Sequence, residues 1–476
     1  MDGNVRISNK IDKQCNKQHI QRAFNLISAV YVALMFSAFL FCFDGSGYQG
    51  IMEAKRVAFF AVSGGYCIVV LLAAAESVLL GQQTLRECLK MLCPCSWSQR
   101  FFLLYLLFTM VSSACSPYFA DTILGNARSE GVVTIAVYVC SYYFLSKFFA
   151  YKKWMLWLFA ASVTTFCVIC IVQLQGFNPF GLYPRPFHYY DKNVSYAGEF
   201  IGTIGNADFA AAFLCLAIPT LWHAMVKGRD RRRFLLAIPL LSAVWVLLAI
   251  RVLAGILGVT AGIILTFPML FTKKRSQRVA TAAVCIGMVL VLICIYFADI
   301  SSGLLHELHR VLHGQVEDSA GSGRVYIWKN VLQRIPERLL VGFGPDTMGF
   351  ADIPPFSRYD SNTGRMIYAY IDAAHNEFLN ILYSQGLFAL LCYICAAFIL
   401  VLRGVRKSNQ CLLSAAITAA ILGYLMQSFF GISQLITAPF FWLFAGILEK
   451  STGEEVRDEE QTNIVSNQFM KKGKKK

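Results

Sequence analysis

The chain has 476 residues, 57% of them hydrophobic and 15% charged, with a mean hydropathy of +0.54 and a net charge of +15. Soluble globular domains are about half apolar and about a quarter charged, so these values exclude an ordinary soluble enzyme and point to a polytopic membrane protein. The basic excess follows loop position. It is a topological signal with attraction to anionic lipid, not a nucleic-acid footprint, and no nucleic-acid partner is expected.

A bilayer core asks a helix for about 20 apolar residues. Twelve such runs occur, near 23–43, 57–80, 101–115, 132–150, 154–175, 207–226, 233–250, 252–271, 279–298, 376–402, 411–430 and 434–449. The third and twelfth are short, as tilted or partly interfacial helices would be. No small-residue cleavage site follows the first run, so no cleavable signal peptide is expected.

Lys and Arg in the short loops set the orientation. The amino-terminal tail carries Arg6, Lys10, Lys13, Lys17 and Arg22. With that tail cytoplasmic, the same side holds Arg86, Lys90 and Arg100, then Lys152 and Lys153, "KGRDRRR" (227–233), "KKRSQR" (273–278), "RGVRK" (403–407) and the terminal "KKGKKK". This predicts an all-α polytopic membrane protein of twelve spans. Its parts are a cytoplasmic tail over 1–22, a membrane domain over 23–449 and a charged cytoplasmic tail over 450–476. Charge is sparse inside the runs, with Glu76 and Lys147 the main exceptions and both near ends.

Most of the sixteen cysteines lie inside spans, where a free thiol behaves as a small hydrophobe. The outer loops 176–206 and 299–375 contain none. "CLKMLCPC" (88–95) offers three thiols without the fourth ligand a zinc site wants.

The outer loops are richer than linkers need to be. The first, 112–131, holds Arg128 and Glu130. The second, 176–209, is dense in aromatics, Gly and Pro, with Arg185 and His188. A tight turn around Arg251 is the third. The fourth, 299–375, is too long to stay structureless and is expected to fold or dock on the membrane domain. Within it Ser322 is a candidate cap for a helix with Val325, Trp328, Val331, Leu332 and Ile335 at helical spacing. Arg324 sits in its first turn, where free N–H groups and a guanidinium converge on an anion. The plainer alternative is a surface arginine neutralised by Glu317 and Asp318.

"YAYIDAAHNEFLNILYSQG" (368–386) closes the loop. Asp372 is a plausible N-cap and His375 lies where the tenth run begins. A helix N-terminus disfavours imidazolium, so this His would stay neutral and able to accept a proton. The alternative is an interfacial His bonded to backbone. His306, His309 and His313, at spacings 3, 4 and 7, read as a wetted helix face more readily than as a metal site.

The order of these features resembles the O-antigen ligase and O-antigen polymerase superfamily of bacterial envelope glycosyltransferases. "GNARSEG" (125–131) and "GTIGNADFAAAFL" (202–214) look like its upstream motifs. "GSGRVYIW" (321–328) with "VGFGPDTMGF" (341–350) looks like its large outer loop, and "AHNEFLNILYSQG" (374–386) like its His-Asn motif. The likeness runs over roughly residues 110–450.

It implies a GT-C-like, metal-independent glycosyltransferase in the cytoplasmic membrane, without a cofactor. The donor would be a glycan on undecaprenyl diphosphate and the acceptor a glycan, lipid or protein. Carried over by motif, His375 would be catalytic. Arg324, Arg251, Arg128 and Asn376 would bind substrate, with Arg185 and Arg365 as further outer-face candidates. One departure is plain: where the family commonly has Ser-Arg-Gly, this chain reads "AIRVLAG" (249–255). The competing class is a flippase for lipid-linked sugars, which would show internal repeats and charge deep inside its spans.

Overall fold

A computed structural model describes residues 2–45, 47–178, 180–182, 201–300, 304–321, 323–360 and 365–453. The first half contains α1 (Asp2–Leu34), α2 (Tyr48–Phe59), α3 (Gly65–Leu79), α4 (Leu85–Met91), α5 (Trp97–Ala114), α6 (Phe119–Leu124), α7 (Val132–Phe148) and α8 (Lys153–Leu174). Then come α9 (Ala207–Lys227), α10 (Ala237–Ile250), α11 (Leu253–Thr266), α12 (Lys274–Phe297), α13 (Leu304–Leu312) and α14 (Arg324–Arg334). The chain closes with α15 (Glu377–Gln385), α16 (Leu387–Lys407), α17 (Leu412–Ser428) and α18 (Ala438–Thr452).

Every apolar run of the sequence falls on a helix. Among the described residues eight helical segments are long and apolar enough to cross a membrane, and α7 and α17 are shorter apolar helices. Two expectations change. The amino-terminal tail is part of α1 rather than an extension preceding it. The run 376–402 is two helices, broken at Gly386, which has φ +85. A Cβ there would collide with the Leu340 carbonyl, so glycine serves both the turn and the close approach of the 340–341 backbone. Tyr393, in the second turn of α16, donates to Glu377 at 2.7 Å, so α15 and α16 fold back on each other about that break.

Small residues close the bundle. On α11, Cβ atoms added at Gly255, Gly258 and Gly262 would meet Ala211, Cys215 and Pro219 of α9 in rising order. The same two later glycines meet Gly423 and Ala419 of α17 in falling order. Thus α9 and α11 run parallel and α17 antiparallel, at the near-contact spacing that small residues allow in a membrane. An aromatic core of Phe102, Tyr105, Tyr138, Tyr142, Tyr393 and Trp442 joins α5, α7, α16 and α18. By contrast α12 stands at the edge, with only Ala280 and Ile295 buried.

The interior carries more charge than the sequence suggested. Lys55 is fully buried and donates to the carbonyls of Phe39 (2.7 Å) and Leu40 (2.9 Å), satisfying the open end of the first helix. Glu449 is buried on α18 and pairs with Arg403, with Ser98 and Tyr142 also donating to it. Lys55 lies just before the apolar run 57–80, because α2 begins ahead of that run, and Glu449 is the last residue of the run 434–449.

The 299–375 segment folds onto the bundle, as its length predicts. Ile327, Val331 and Ile335 of α14 and its following turn pack with Met348, Ile371, Ala374 and Tyr383 in a second core. The buried stripe is shifted from the one expected: Ile327 is inside, while Leu332 is exposed. The segment is also not wholly helical. It contains a hairpin of β1 (Phe356–Asp360) and β2 (Arg365–Ala369), antiparallel, with Phe356 opposite Ala369 and Asp360 opposite Arg365. Tyr359, Ile367 and Tyr368 supply β-branched and aromatic residues suited to strands.

Candidate functional site

Asp346 organises the site. Its carboxylate, 8% exposed, accepts the backbone N–H groups of Arg128 (3.0 Å) and Glu130 (3.3 Å), locking "GNARSEG" to "GFGPDT". Gly125, at φ +86, would place a Cβ 2.7 Å from that same oxygen, so the loop has no room for another residue. On the other flank Gly344, at φ +112, abuts Ser116 and Thr122, and the N–H groups of Phe343 and Gly344 donate to the carbonyls of Tyr383 and Ser384. Two motifs far apart in sequence are thereby held against α15.

Arg128 then reaches across to Asp372, Nη2 to Oδ1 at 2.7 Å. Asp372 was expected to cap α15. The cap is Asn376 instead, whose side chain accepts the Leu379 N–H at 3.0 Å. Asn376 is thus buried and engaged with backbone, which ties the proposed binding residue to helix initiation. Asn380 adds a second tether by accepting the Ala374 N–H.

His375 lies between these tethers with φ +49, a left-handed conformation that a residue with a Cβ rarely adopts. The carbonyl before it accepts Trp328 Nε1–H at 2.9 Å, so α14 fixes the turn from the far side. Burial of the imidazole, then the guanidinium groups of Arg128 and Arg324, lower its pKa to about 4, with Asp372 opposing. The helix dipole expected from the sequence acts with the same sign. In the structure burial and two arginines do it. Among the described residues the imidazole has no hydrogen-bond partner.

Arg324 opens α14, but Gly323 at φ +87 is the cap rather than Ser322, which lies outside the described residues. Its Nε donates to the Phe430 carbonyl at 3.0 Å and its Nη1 to the Gly321 carbonyl at 2.8 Å. Glu317 pairs with Arg310, and Asp318 pairs with Lys329 at 2.6 Å. The neutralised-surface alternative therefore fails on its own terms, because both named acids are engaged elsewhere.

The other candidates divide. Arg251 is exposed, left-handed at φ +55, and caps α10. Gly255, four residues on, approaches Ala211 in the first turns of α9, where Asp208 interacts with the Arg324 guanidinium, so Arg251 stands at that end of the bundle. Arg365 lies on β2, its side chain outside the described residues, as is all of Arg185. His309 and His313 bond the carbonyls of Ile295 and His309, and His313 stacks on Tyr296, so these rings pack α13 onto α12. Asp346 and Glu130 also belong to the site. Both stand inside quoted glycine motifs, where an acid close to glycines is the available signal. Burial raises the pKa of both carboxyls, and for Asp346 the N–H groups of Arg128, Glu130 and Asn126 pull it back.

Fold and site together define a helical chain of membrane-spanning type whose candidate site residues gather at one end of the bundle. Residues 237–394 match the family model described as O-Antigen ligase. The resemblance seen in the motifs is borne out over that segment, which contains Arg251, Arg324, Arg365, His375 and Asn376 and leaves Arg128 and Arg185 outside. No curated protein matches the chain. The family match covers 158 of the 476 residues, in a chain with apolar helices long enough to cross a membrane.

Proposed function

We propose that the protein transfers or polymerises an oligosaccharide carried on undecaprenyl diphosphate, at the outer face of the cytoplasmic membrane and without a metal. The observation that carries this reading is geometric: Arg128 pairs with Asp372, three residues before His375, and Arg324 opens the helix whose Trp328 holds the carbonyl before His375, so two arginines from segments nearly 200 residues apart flank one histidine. Guanidinium groups match phosphate oxygens and stabilise the charge that a departing diphosphate develops. His375 takes the proton of the acceptor hydroxyl.

The two halves of that chemistry are coupled. In the free protein burial, and then the two arginines, hold the imidazole neutral. A bound diphosphate supplies the opposite charge, restores the basicity of His375 and so arms the base only when the donor is present. Twelve spans, both termini cytoplasmic and a membrane domain over 23–449 complete the proposal, resting on the Lys/Arg asymmetry of the loops. Asn376 supports the site through the α15 cap, and Arg251, Arg185 and Arg365 are assigned to the outer rim.

The test is transfer from purified undecaprenyl-diphosphate oligosaccharide by the detergent-solubilised protein with EDTA present throughout. Product formation unaffected by EDTA supports the reading. No product, or product that requires a divalent ion, removes it.

A further inference from the structure

Helix α13 is built the wrong way round for a helix in water. Leu305, Leu308, Val311 and Leu312 share one face, and His306, His309, Arg310 and His313 share the other. A helix on a water-facing surface turns its apolar face inward. Here that face points out: Leu305 is 48% exposed, Leu308 36% and Val311 49%. The polar face makes the contacts instead. His309 Nδ1 bonds the Ile295 carbonyl at 2.8 Å, His313 stacks on Tyr296, and Arg310 pairs with Glu317.

The position of α13 decides what meets its outward face. Its neighbour α12 begins with Lys274, Arg275 and Arg278 and runs for 24 residues, about 36 Å, against an apolar bilayer core of about 30 Å. With the basic end at one boundary, the last turn of α12 reaches the other, the depth at which tyrosines such as Tyr296 collect. That last turn is what α13 is bonded to. Val289, Leu290 and Val291 make the flank of α12 an exposed apolar surface, and Phe297, exposed as well, ends it beside α13. The outward face of α13 thus extends a lipid-facing surface at the level of the head groups.

We propose that α13 is seated in the membrane surface, with Leu305, Leu308 and Val311 inserted among lipid chains, and that this seat positions Arg324. A helix of this kind sinks about 5–10 Å into the boundary between head groups and chains. The link to Arg324 is short. Glu307 Oε2 accepts the Gly321 N–H at 3.3 Å, and the Gly321 carbonyl accepts Arg324 Nη1 at 2.8 Å. The seat therefore sets the height of Arg324 relative to the head groups, where a diphosphate carried on a lipid arrives. This positioning role rests on the proposed function; the seating does not.

Photocrosslinking of the full-length protein in vesicles of phosphatidylethanolamine and phosphatidylglycerol tests the seat without turnover. p-Benzoylphenylalanine replaces Leu308, Val311, His306 or, as a lipid-facing control, Val289, one at a time, and mass spectrometry identifies the adducts. Lipid adducts are expected from positions 308 and 311 at close to the yield from 289, and from 306 at about a fifth of it or less. Crosslinks from 308 and 311 mainly to a second copy or to another segment of the chain overturn the inference. So do lipid yields there no higher than from 306.

For positioning, Leu308→Glu combined with Val311→Glu should cut transfer about tenfold or more, with Tm and the lipid adduct at 289 as in the parent. Leu308→Met combined with Val311→Ile keeps the face apolar and should transfer normally. Undiminished transfer by the Glu pair, equal loss in the Met and Ile pair, or a collapsed Tm in the Glu pair removes the positioning role. If the lipid adducts form as expected in a parent that transfers no glycan, the proposed function falls and the seat stands.

Discussion

Replacing Asp346 by Ala removes the acceptor that two buried N–H groups share, those of Arg128 and Glu130. Each buried donor left unpaired costs about 1–3 kcal/mol. Asp346 also sits at φ +57, where a side chain without a local hydrogen bond costs roughly 1–2 kcal/mol. The sum, about 3–8 kcal/mol, exceeds what most single substitutions cost. Much of it would be relieved by release of the 125–131 loop, which takes Arg128 away from Asp372. Asp346→Asn is the informative control, since its amide oxygen still accepts both N–H groups and Asn tolerates the left-handed region. The expected pattern is a lowered Tm and lost transfer for Ala, with Asn within about 1 kcal/mol of the parent and largely active. Thermal unfolding in detergent, paired with the transfer assay, reads both. An Ala variant as stable and active as the parent would refute the keystone role, as would an Asn variant as damaged as Ala.

The pH dependence of turnover carries a second signature. With His375 at about 4 in the free protein, kcat/KM should be flat from neutrality down and fall only near that value. The limb in kcat should lie higher, because bound diphosphate stabilises imidazolium, and Arg128→Gln should move the kcat/KM limb upward. Coincident limbs would count against the coupling. Arg324→Lys should lose about 2 kcal/mol or more of transition-state stabilisation, roughly thirtyfold in rate, since an ammonium cannot hold the Phe430 and Gly321 carbonyls and a phosphate together. Equal turnover by the Lys variant, at equal protein level, would reduce Arg324 to a structural cation. For topology, single cysteines at Ser322 and Ser466 in a Cys-free background should label from outside the cell only at Ser322, and the reverse pattern inverts the assignment.

Helices were legible because apolar runs of bilayer length are a strong signal, and each of them is helical. The positions of Arg324 at the start of α14 and of His375 just before α15 were likewise legible from their local setting. Less legible were features decided by tertiary contact. Gly386 breaks an unbroken apolar pattern only because Leu340 passes beside it. Lys55 reads as a loop cation until two carbonyls at the end of the first helix claim it. The hairpin 356–369 alternates too weakly to outweigh its loop composition. Asp372 and Asn376 both make good caps by type, and the choice between them depends on Arg128, which lies 244 residues from Asp372. The partners of Asp346 could not be read at all, since a carboxylate receiving backbone N–H groups leaves no residue-type signature at the donor end.

The central claim is that His375 performs the proton transfer beside arginines that hold the donor. Gln at position 375 keeps hydrogen-bonding capacity and removes basicity. The decisive measurement compares His375→Gln with the parent for equilibrium binding of undecaprenyl-diphosphate oligosaccharide and for single-turnover transfer. Binding within about threefold of the parent, with transfer down by a factor of about 10² or more, is the expected result. Transfer by the Gln variant at the parent rate would contradict it and take His375 out of the mechanism.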